Sequence, residues 1–162
     1  MQTRQLSNGL WVSCESRYAL IAQLPPDQEV VETESPNSWG YVDFESDVVV
    51  PVGYSDMGLQ PLAVRLGERV FVGIDELLIG YDCFGRYILF KYNMPTIFHE
   101  FVRFDQHEFI VRDEIGFVGI SYSGDERWSF CIDIIASYRI DQALIVGLTE
   151  GGEDFKFSIP SE

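Results

Sequence analysis

Leu77-Leu-Ile-Gly-Tyr-Asp-Cys-Phe-Gly-Arg-Tyr-Ile-Leu-Phe90 is the stretch whose reading decides the fold. An apolar run of strand length meets Asp82-Cys-Phe-Gly85, and the chain returns through alternating aromatic and aliphatic side chains. Apolar and aromatic runs of four to eight residues, bounded by Gly, Asn, Asp or Ser, read as strands, and a short Gly-containing link between two of them reads as a hairpin. The same form recurs at 117–132 around Ser123-Gly-Asp-Glu126 and at 144–159 around Thr149-Glu-Gly-Gly152. Phe71-Val-Gly-Ile74 and Phe117-Val-Gly-Ile120 are identical tetrapeptides. Propeller blades repeat in this way at about 40–45 residues each. The intervals here are unequal and the chain is too short for a full set of blades. Hairpins stacking into one antiparallel sandwich or barrel are the simpler expectation.

Outward from that stretch the chain reads as further short strands. Asn8-Gly9 is a hairpin signal, because both residues tolerate positive φ. Residues 10–14 then return from it, and 18–24 read as another strand. Pro25-Pro26 breaks the pattern, and 27–40 is polar, either a long loop or one short helix through 28–33. In 41–52, Val42 and Phe44 point one way while Asp43, Glu45 and Asp47 point the other. A hairpin over 98–112 turns at Asp105-Gln106 and places Arg103 opposite Glu108, a favourable cross-strand pair. Helical patterns are scarce: 60–66 suits one turn or two, and 131–138 is ambiguous between helix and strand. The expected fold class is all-β, or β-rich α+β with one or two short helices, with residues 1–162 forming a single domain.

Composition bounds the function. Hydrophobic residues make up 46% of the 162 residues and aromatics 14%, so a core is available and disorder is excluded. Asp and Glu number 26 against 11 Lys and Arg, a formal charge of −15, and Lys91 and Lys156 are the only lysines. Nucleic acid and anionic membrane surfaces are poor partners for such a chain, because their phosphates would be repelled. A basic protein is the natural complement. Cys14, Cys83 and Cys131 are odd in number and widely spaced, which argues against a disulfide scaffold and a zinc site and for buried free thiols. The opening Met1-Gln-Thr-Arg-Gln-Leu carries no charged segment followed by an apolar one, and no apolar run reaches the roughly 18 residues that span a bilayer. The expected compartment is the cytoplasm.

Catalytic motifs are missing from the sequence. His99 and His107 lie on opposite strands of the 98–112 hairpin, too far apart to share a metal with bonds of about 2.0–2.1 Å. There is no G-x-S-x-G elbow, and Gly151-Gly152 sits among Glu150, Glu153 and Asp154, where a phosphate would be repelled. Adjacent acids such as Asp75-Glu76 and Asp113-Glu114 point to opposite faces of a strand, away from the convergence that acid–base catalysis requires. No catalytic residue, metal or cofactor is assigned.

The most informative feature is a stretch without cations. Between Arg17 and Arg65 there is no Lys or Arg, while Asp27, Glu29, Glu32, Glu34, Asp43, Glu45, Asp47 and Asp56 all fall there. A contiguous negative surface is expected. Trp39 and Tyr41 lie in the same interval, and such aromatics are enriched at interface centres. A second, smaller acidic patch is Glu150, Glu153 and Asp154. In its size, acidity, acid-only stretch and β-rich body the chain resembles bacterial immunity proteins of polymorphic-toxin and contact-dependent inhibition systems. That resemblance implies a basic, nuclease-like toxin as partner, its active site or substrate cleft occluded by carboxylates standing in for phosphates. The competing expectation is a small-ligand or carbohydrate module, or an enzyme with an unrecognised carboxylate site, stacking its ligand on Trp11, Trp39 or Trp128. A third is self-association through an exposed sheet edge.

Overall fold

The computed structural model describes residues 6–45 and 48–161. Its strands are β1 (Leu6–Asn8), β2 (Leu10–Cys14), then after helix α1 (Arg17–Ile21) β3 (Val31–Glu32), β4 (Ser38–Phe44), β5 (Val48–Tyr54), β6 (Leu62–Leu66), β7 (Arg69–Ile74), β8 (Leu77–Asp82) and β9 (Tyr87–Asn93). They continue with β10 (Phe98–Phe104), β11 (Glu108–Asp113), β12 (Gly116–Ser121), β13 (Glu126–Cys131), β14 (Ile135–Asp141), β15 (Leu144–Thr149) and β16 (Asp154–Ser158). The fold is all-β, in four sheets that are almost wholly antiparallel, and none of them closes into a barrel. The chain divides into two compact units, Met1–Phe98 and His99–Glu162, each with a hydrophobic core of its own.

In the first unit, a five-stranded sheet ordered β1-β6-β7-β8-β9 faces a four-stranded sheet ordered β2-β4-β5-β3. Val42, Phe44, Val50, Val52 and Tyr54 from the smaller sheet meet Val70, Val72, Ile74, Ile79 and Tyr81 from the larger one. Strands β7 and β8 are buried on both faces, which is why their sequences are near-continuous apolar runs rather than alternating ones. In the second unit, β10-β11-β12-β13 packs on β14-β15-β16 through Ile110, Phe117, Trp128, Ile145 and Phe155. One edge of that core is closed by polar groups. Glu100 Oε1 accepts from Tyr138 Oη at 2.5 Å and from Arg112 Nε at 3.0 Å, and the Arg112 guanidinium lies over the Tyr138 ring.

Each sheet carries one glycine directly opposite an aromatic residue: Gly53 and Trp39, Gly80 and Phe90, Gly119 and Trp128, Gly147 and Phe155. The ring lies against the bare backbone. A Cβ built on these glycines would stand 2.2 Å from the Trp39, Phe90 and Trp128 rings and 2.4 Å from that of Phe155. Strand glycine otherwise weakens a sheet, so its presence at close approach marks a packing requirement. The three hairpins singled out in the sequence are β8-β9, β12-β13 and β15-β16, and each holds one of these pairs. The identical Phe-Val-Gly-Ile tetrapeptides differ in what covers the glycine: Gly73 in β7 lies under Phe98, which is not its strand partner, while Gly119 lies under its partner Trp128.

Several local expectations give way to tertiary packing. Asn8-Gly9 is not a hairpin turn. Asn8 pairs with Val64 in the five-stranded sheet and Leu10 with Asp43 in the other, so the chain changes sheets at Gly9. A side chain there would collide with Val42, its Cβ 2.0 Å from Cγ1. Residues 18–24 begin in a helix rather than a strand, because Ser16 caps it, its Oγ accepting from Ala19 N at 3.1 Å. Of the two readings of 27–40, the short helix at 28–33 does not form, and that segment is irregular but for β3, parallel to β5; the helix at 60–66 is replaced by β6. Arg103 bonds Asp105 and the Gln142 carbonyl, not Glu108, whose buried carboxylate accepts from Trp128 Nε1 at 2.8 Å. No helix among the described residues is long and apolar enough to cross a membrane.

Two outcomes check this packing. Gly119→Ala pushes a methyl into Trp128 and to 2.5 Å from Glu108 Oε2. It is expected to lower unfolding stability in urea by about 2–3 kcal/mol, from overpacking together with a broken buried hydrogen bond. Gly151→Ala, whose nearest neighbour is Thr149 Oγ1 at 3.7 Å, should change it by less than about 0.5 kcal/mol. The second outcome concerns pH. Burial, and then the charge of Glu29, pushes the Tyr81 phenol up to about 12 from its ordinary value, and burial with Glu100 raises that of Tyr138. A raised folded-state value means stability that is whole below pH 10 and lost as pH climbs toward 12. Urea midpoints of the Tyr81→Phe, Tyr138→Phe double variant should fall less steeply over that window than those of the parent.

Candidate functional site

The outer face of the four-stranded sheet is where the cation-free stretch surfaces. Along β4 the side chains of Val42 and Phe44 turn inward, while Trp39, Tyr41 and Asp43 turn outward. Register extends that outer face across the sheet: Cys14, Val12 and Leu10 from β2 on one side, Gly53, Pro51 and Val49 from β5 on the other. Leu10 is 70% exposed, Trp39 and Tyr41 are half-buried, and Asp43 and Glu45 are exposed, Glu45 in the turn after β4. The arrangement is a small apolar and aromatic surface with carboxylates at the β4–β5 turn.

The remaining acids of the stretch are distributed differently. Asp27 is exposed beside Gln28, whose amide donates to the Val49 carbonyl at the outer edge of β5. Glu29 ties this segment to the five-stranded sheet: its N–H donates to the Arg86 carbonyl, its carbonyl accepts from Tyr81 Oη, and its Oε2 accepts from Ile88 N at 2.8 Å. Glu32 pairs with Arg17, Nε to Oε1 at 2.8 Å. Glu34 and Asp56 lie at the far end of the sheet, where Asp56 N bonds Asn37 and its Oδ1 accepts from Gly58 N. Seven-residue β5 separates that end from Glu45 by about 20 Å. Asp47 lies outside the described residues.

The single contiguous anionic surface expected from the sequence therefore resolves into separate pieces. Cations also arrive from outside the stretch. Arg17 reaches Glu32 and stacks over Trp39, and Arg65 places Nη1 3.5 Å from the Glu45 carbonyl. Sequence spacing could not show this, because both arginines lie at its borders and return through the fold. What stays together is Trp39, Tyr41, Asp43 and Glu45. Leu10 and Tyr18, the latter 84% exposed on α1, escaped the sequence reading. For Leu10 the signal would have been an apolar residue at an outward-facing strand position.

The second acidic patch is compact. Glu150, Glu153 and Asp154 are exposed at the β15–β16 tip, shaped by Thr149 Oγ1 accepting from Glu153 N at 3.1 Å. Beside it a shallow groove of about 620 Å³ runs over the outer face of β14-β15-β16, lined by Arg139, Val146, Leu148, Asp154 and Lys156 among others.

Groups that bear on catalysis are dispersed. Arg112 Nη2 approaches His99 Nδ1 at 3.4 Å, and His107 is exposed in the β10–β11 turn. Among the described residues no group of three or more His, Cys, Asp and Glu is arranged to hold a metal ion. Buried Asp113 accepts from Ile115 N and Gly116 N and shapes the β11–β12 turn. Trp11 packs edge-on against Tyr54, Trp128 is buried on Glu108, and Trp39 has Arg17 over it. Of the cysteines, Cys83 is buried and Cys14 half-buried, but Cys131 is exposed, contrary to the expectation of three buried thiols. No family model, curated protein or solved structure matches the chain.

The thiols give a direct check on this geometry. Burial pushes the Cys83 thiol up to about 11, so at pH 8 it is a poor nucleophile as well as an inaccessible one. Mass spectrometry after brief alkylation of the native protein should find Cys131 labelled and Cys83 unlabelled, with Cys83 reacting only in denaturant.

Proposed function

We propose that the chain is a non-catalytic, protein-binding inhibitor of the immunity-protein kind, which docks the outer face of its β2-β4-β5-β3 sheet onto a basic partner. The observation that carries this reading is the outward row Trp39, Tyr41, Asp43 on β4, followed by exposed Glu45. Half-buried aromatics supply contact area at low entropic cost, and neighbouring carboxylates supply direction and attraction toward a cationic surface. The −15 charge of the chain supports the same partner chemistry at long range, by steering a basic protein inward at low salt. A nuclease toxin, whose cleft is built to hold phosphates, is the class of basic protein that this surface suits. The Glu150, Glu153, Asp154 tip is a separate acidic surface, on the second unit, of the same partner chemistry.

The carbohydrate-module reading has less support. It requires an accessible tryptophan platform, whereas Trp11 and Trp128 belong to the cores and Trp39 stands in a row with Asp43 and Glu45, charges that an uncharged ligand does not use.

The test is capture from cells of the native organism, with identification of what is retained and assay of its nucleic-acid cleavage. The expected result is a basic nuclease that the chain inhibits, bound at least about tenfold more weakly at 0.5 M than at 0.05 M salt. Joint Asp43→Lys, Glu45→Lys reversal should weaken capture at least about tenfold while leaving the melting temperature unchanged. Retention of an acidic partner, or indifference to the reversal, would sink the proposal.

A further inference from the structure

Arg17 opens α1, and its side chain leaves the helix for the outer face of the four-stranded sheet. Its Nε donates to Glu32 Oε1 at 2.8 Å, and its Cζ stands 5.8 Å above the centre of the Trp39 ring. The three residues come from three elements, α1, β3 and β4, and meet because of Gly53. Trp39 is the antiparallel partner of Gly53, and Glu32 is its parallel partner on the other side. A side chain at that position would displace the indole, since its Cβ would stand 2.2 Å from the ring. With only backbone between them, an aromatic face and a carboxylate flank the Arg17 guanidinium. Stacking on an indole with a directed carboxylate is what a planar guanidinium takes better than an ammonium.

We propose that Trp39 and Glu32 form an arginine-binding seat that Arg17 fills from within the chain, and that an arginine of the partner enters it by displacing Arg17. The proposal rests on the docking role of this sheet face. The occupant is weakly held. The Arg17 and Glu32 side chains are 53% and 33% exposed, so their ion pair is screened by water and salt. The helix that carries Arg17 is five residues long, with buried Leu20 and the Ser16 cap holding it in place. An internal ligand of this kind competes at an effective concentration in the millimolar range. It keeps the indole and carboxylate covered in the free protein and yields to a guanidinium presented with further contacts at Tyr41, Asp43 and Glu45. Arg17 is thus a placeholder, and the seat sets a preference for arginine over lysine.

The experiment follows the Trp39 indole N–H resonance, assigned with Trp39→Phe, while N-acetyl-arginine amide is titrated into the Arg17→Ala protein. N-acetyl-lysine amide, of equal charge, runs in parallel, and Arg17→Met repeats the measurement with the aliphatic stem retained. The resonance is expected to shift saturably with the arginine compound, about tenfold more tightly than in the parent chain and at least about fivefold more tightly than with the lysine compound. Adding Glu32→Gln to Arg17→Ala should remove that preference. Equal response of parent and variant, or of the two compounds, overturns the seat. If the seat fills while Asp43→Lys, Glu45→Lys leaves partner capture intact, the docking reading fails and the seat stands. If the seat stays empty while that reversal abolishes capture, the seat fails alone.

Discussion

A bare stretch of backbone beneath an aromatic ring is the contact on which the arrangement depends. In each of the four sheets one strand gives up a side chain, and the residue opposite lays its ring into the gap. At Gly119 the consequence extends beyond van der Waals contact. The Trp128 ring is brought close enough for Nε1 to reach Glu108, so one missing Cβ positions both an apolar core residue and the partner of a buried carboxylate. At Gly53 the same device works on the outside of a sheet, holding Trp39 flat where Arg17 and Glu32 meet it. One packing rule therefore serves the interior of the second unit and the exposed face of the first.

That rule explains how much of the fold was legible. The hairpins β8-β9, β12-β13 and β15-β16 can be read from local pattern because strand, turn and returning strand are contiguous. The glycine and its covering ring are separated by ten, nine and eight residues, and the varying gap reflects bulges beside Gly80 and Gly119 together with a turn one residue longer in β8-β9. A fixed-period search misses such a repeat, and an identical tetrapeptide misleads, as Phe71 to Ile74 and Phe117 to Ile120 do. Gly9 misleads for a related reason. Asn-Gly suits a tight turn by local conformational preference, yet here the glycine is required by Val42 and Phe44, which are distant in sequence. The helix at Arg17 is likewise hidden, since Ser16 precedes a run that is equally suited to a strand and only the cap decides.

Charge was less legible than pattern. Net charge is additive along a chain, but potential depends on where the carboxylates come to rest and on what meets them. The extended strands carry neighbouring acids to opposite ends of a sheet about 20 Å long. Backbone donors then engage others, as Ile88 N does Glu29 and Gly58 N does Asp56. The alternation in β4 survives this redistribution because it is set by the pleat alone. For that reason Trp39, Tyr41 and Asp43 remain one group while Glu34 and Asp56 leave it.

The scarce cations show the same logic from the other side. Arg17 joins α1 to β3, and Arg65 bonds carbonyls in its own turn and after β4. Arg103 reaches from β10 to the β14–β15 turn, and Arg112 links β11 to Glu100 on β10 while covering Tyr138 on β14. Each of these guanidiniums fastens separate segments, a task suited to a planar group with several fixed donors. The −15 charge is set by composition, but where its potential is felt follows partly from which carboxylates these arginines engage. An approaching arginine from another molecule would then find the geometry that the chain already uses for its own.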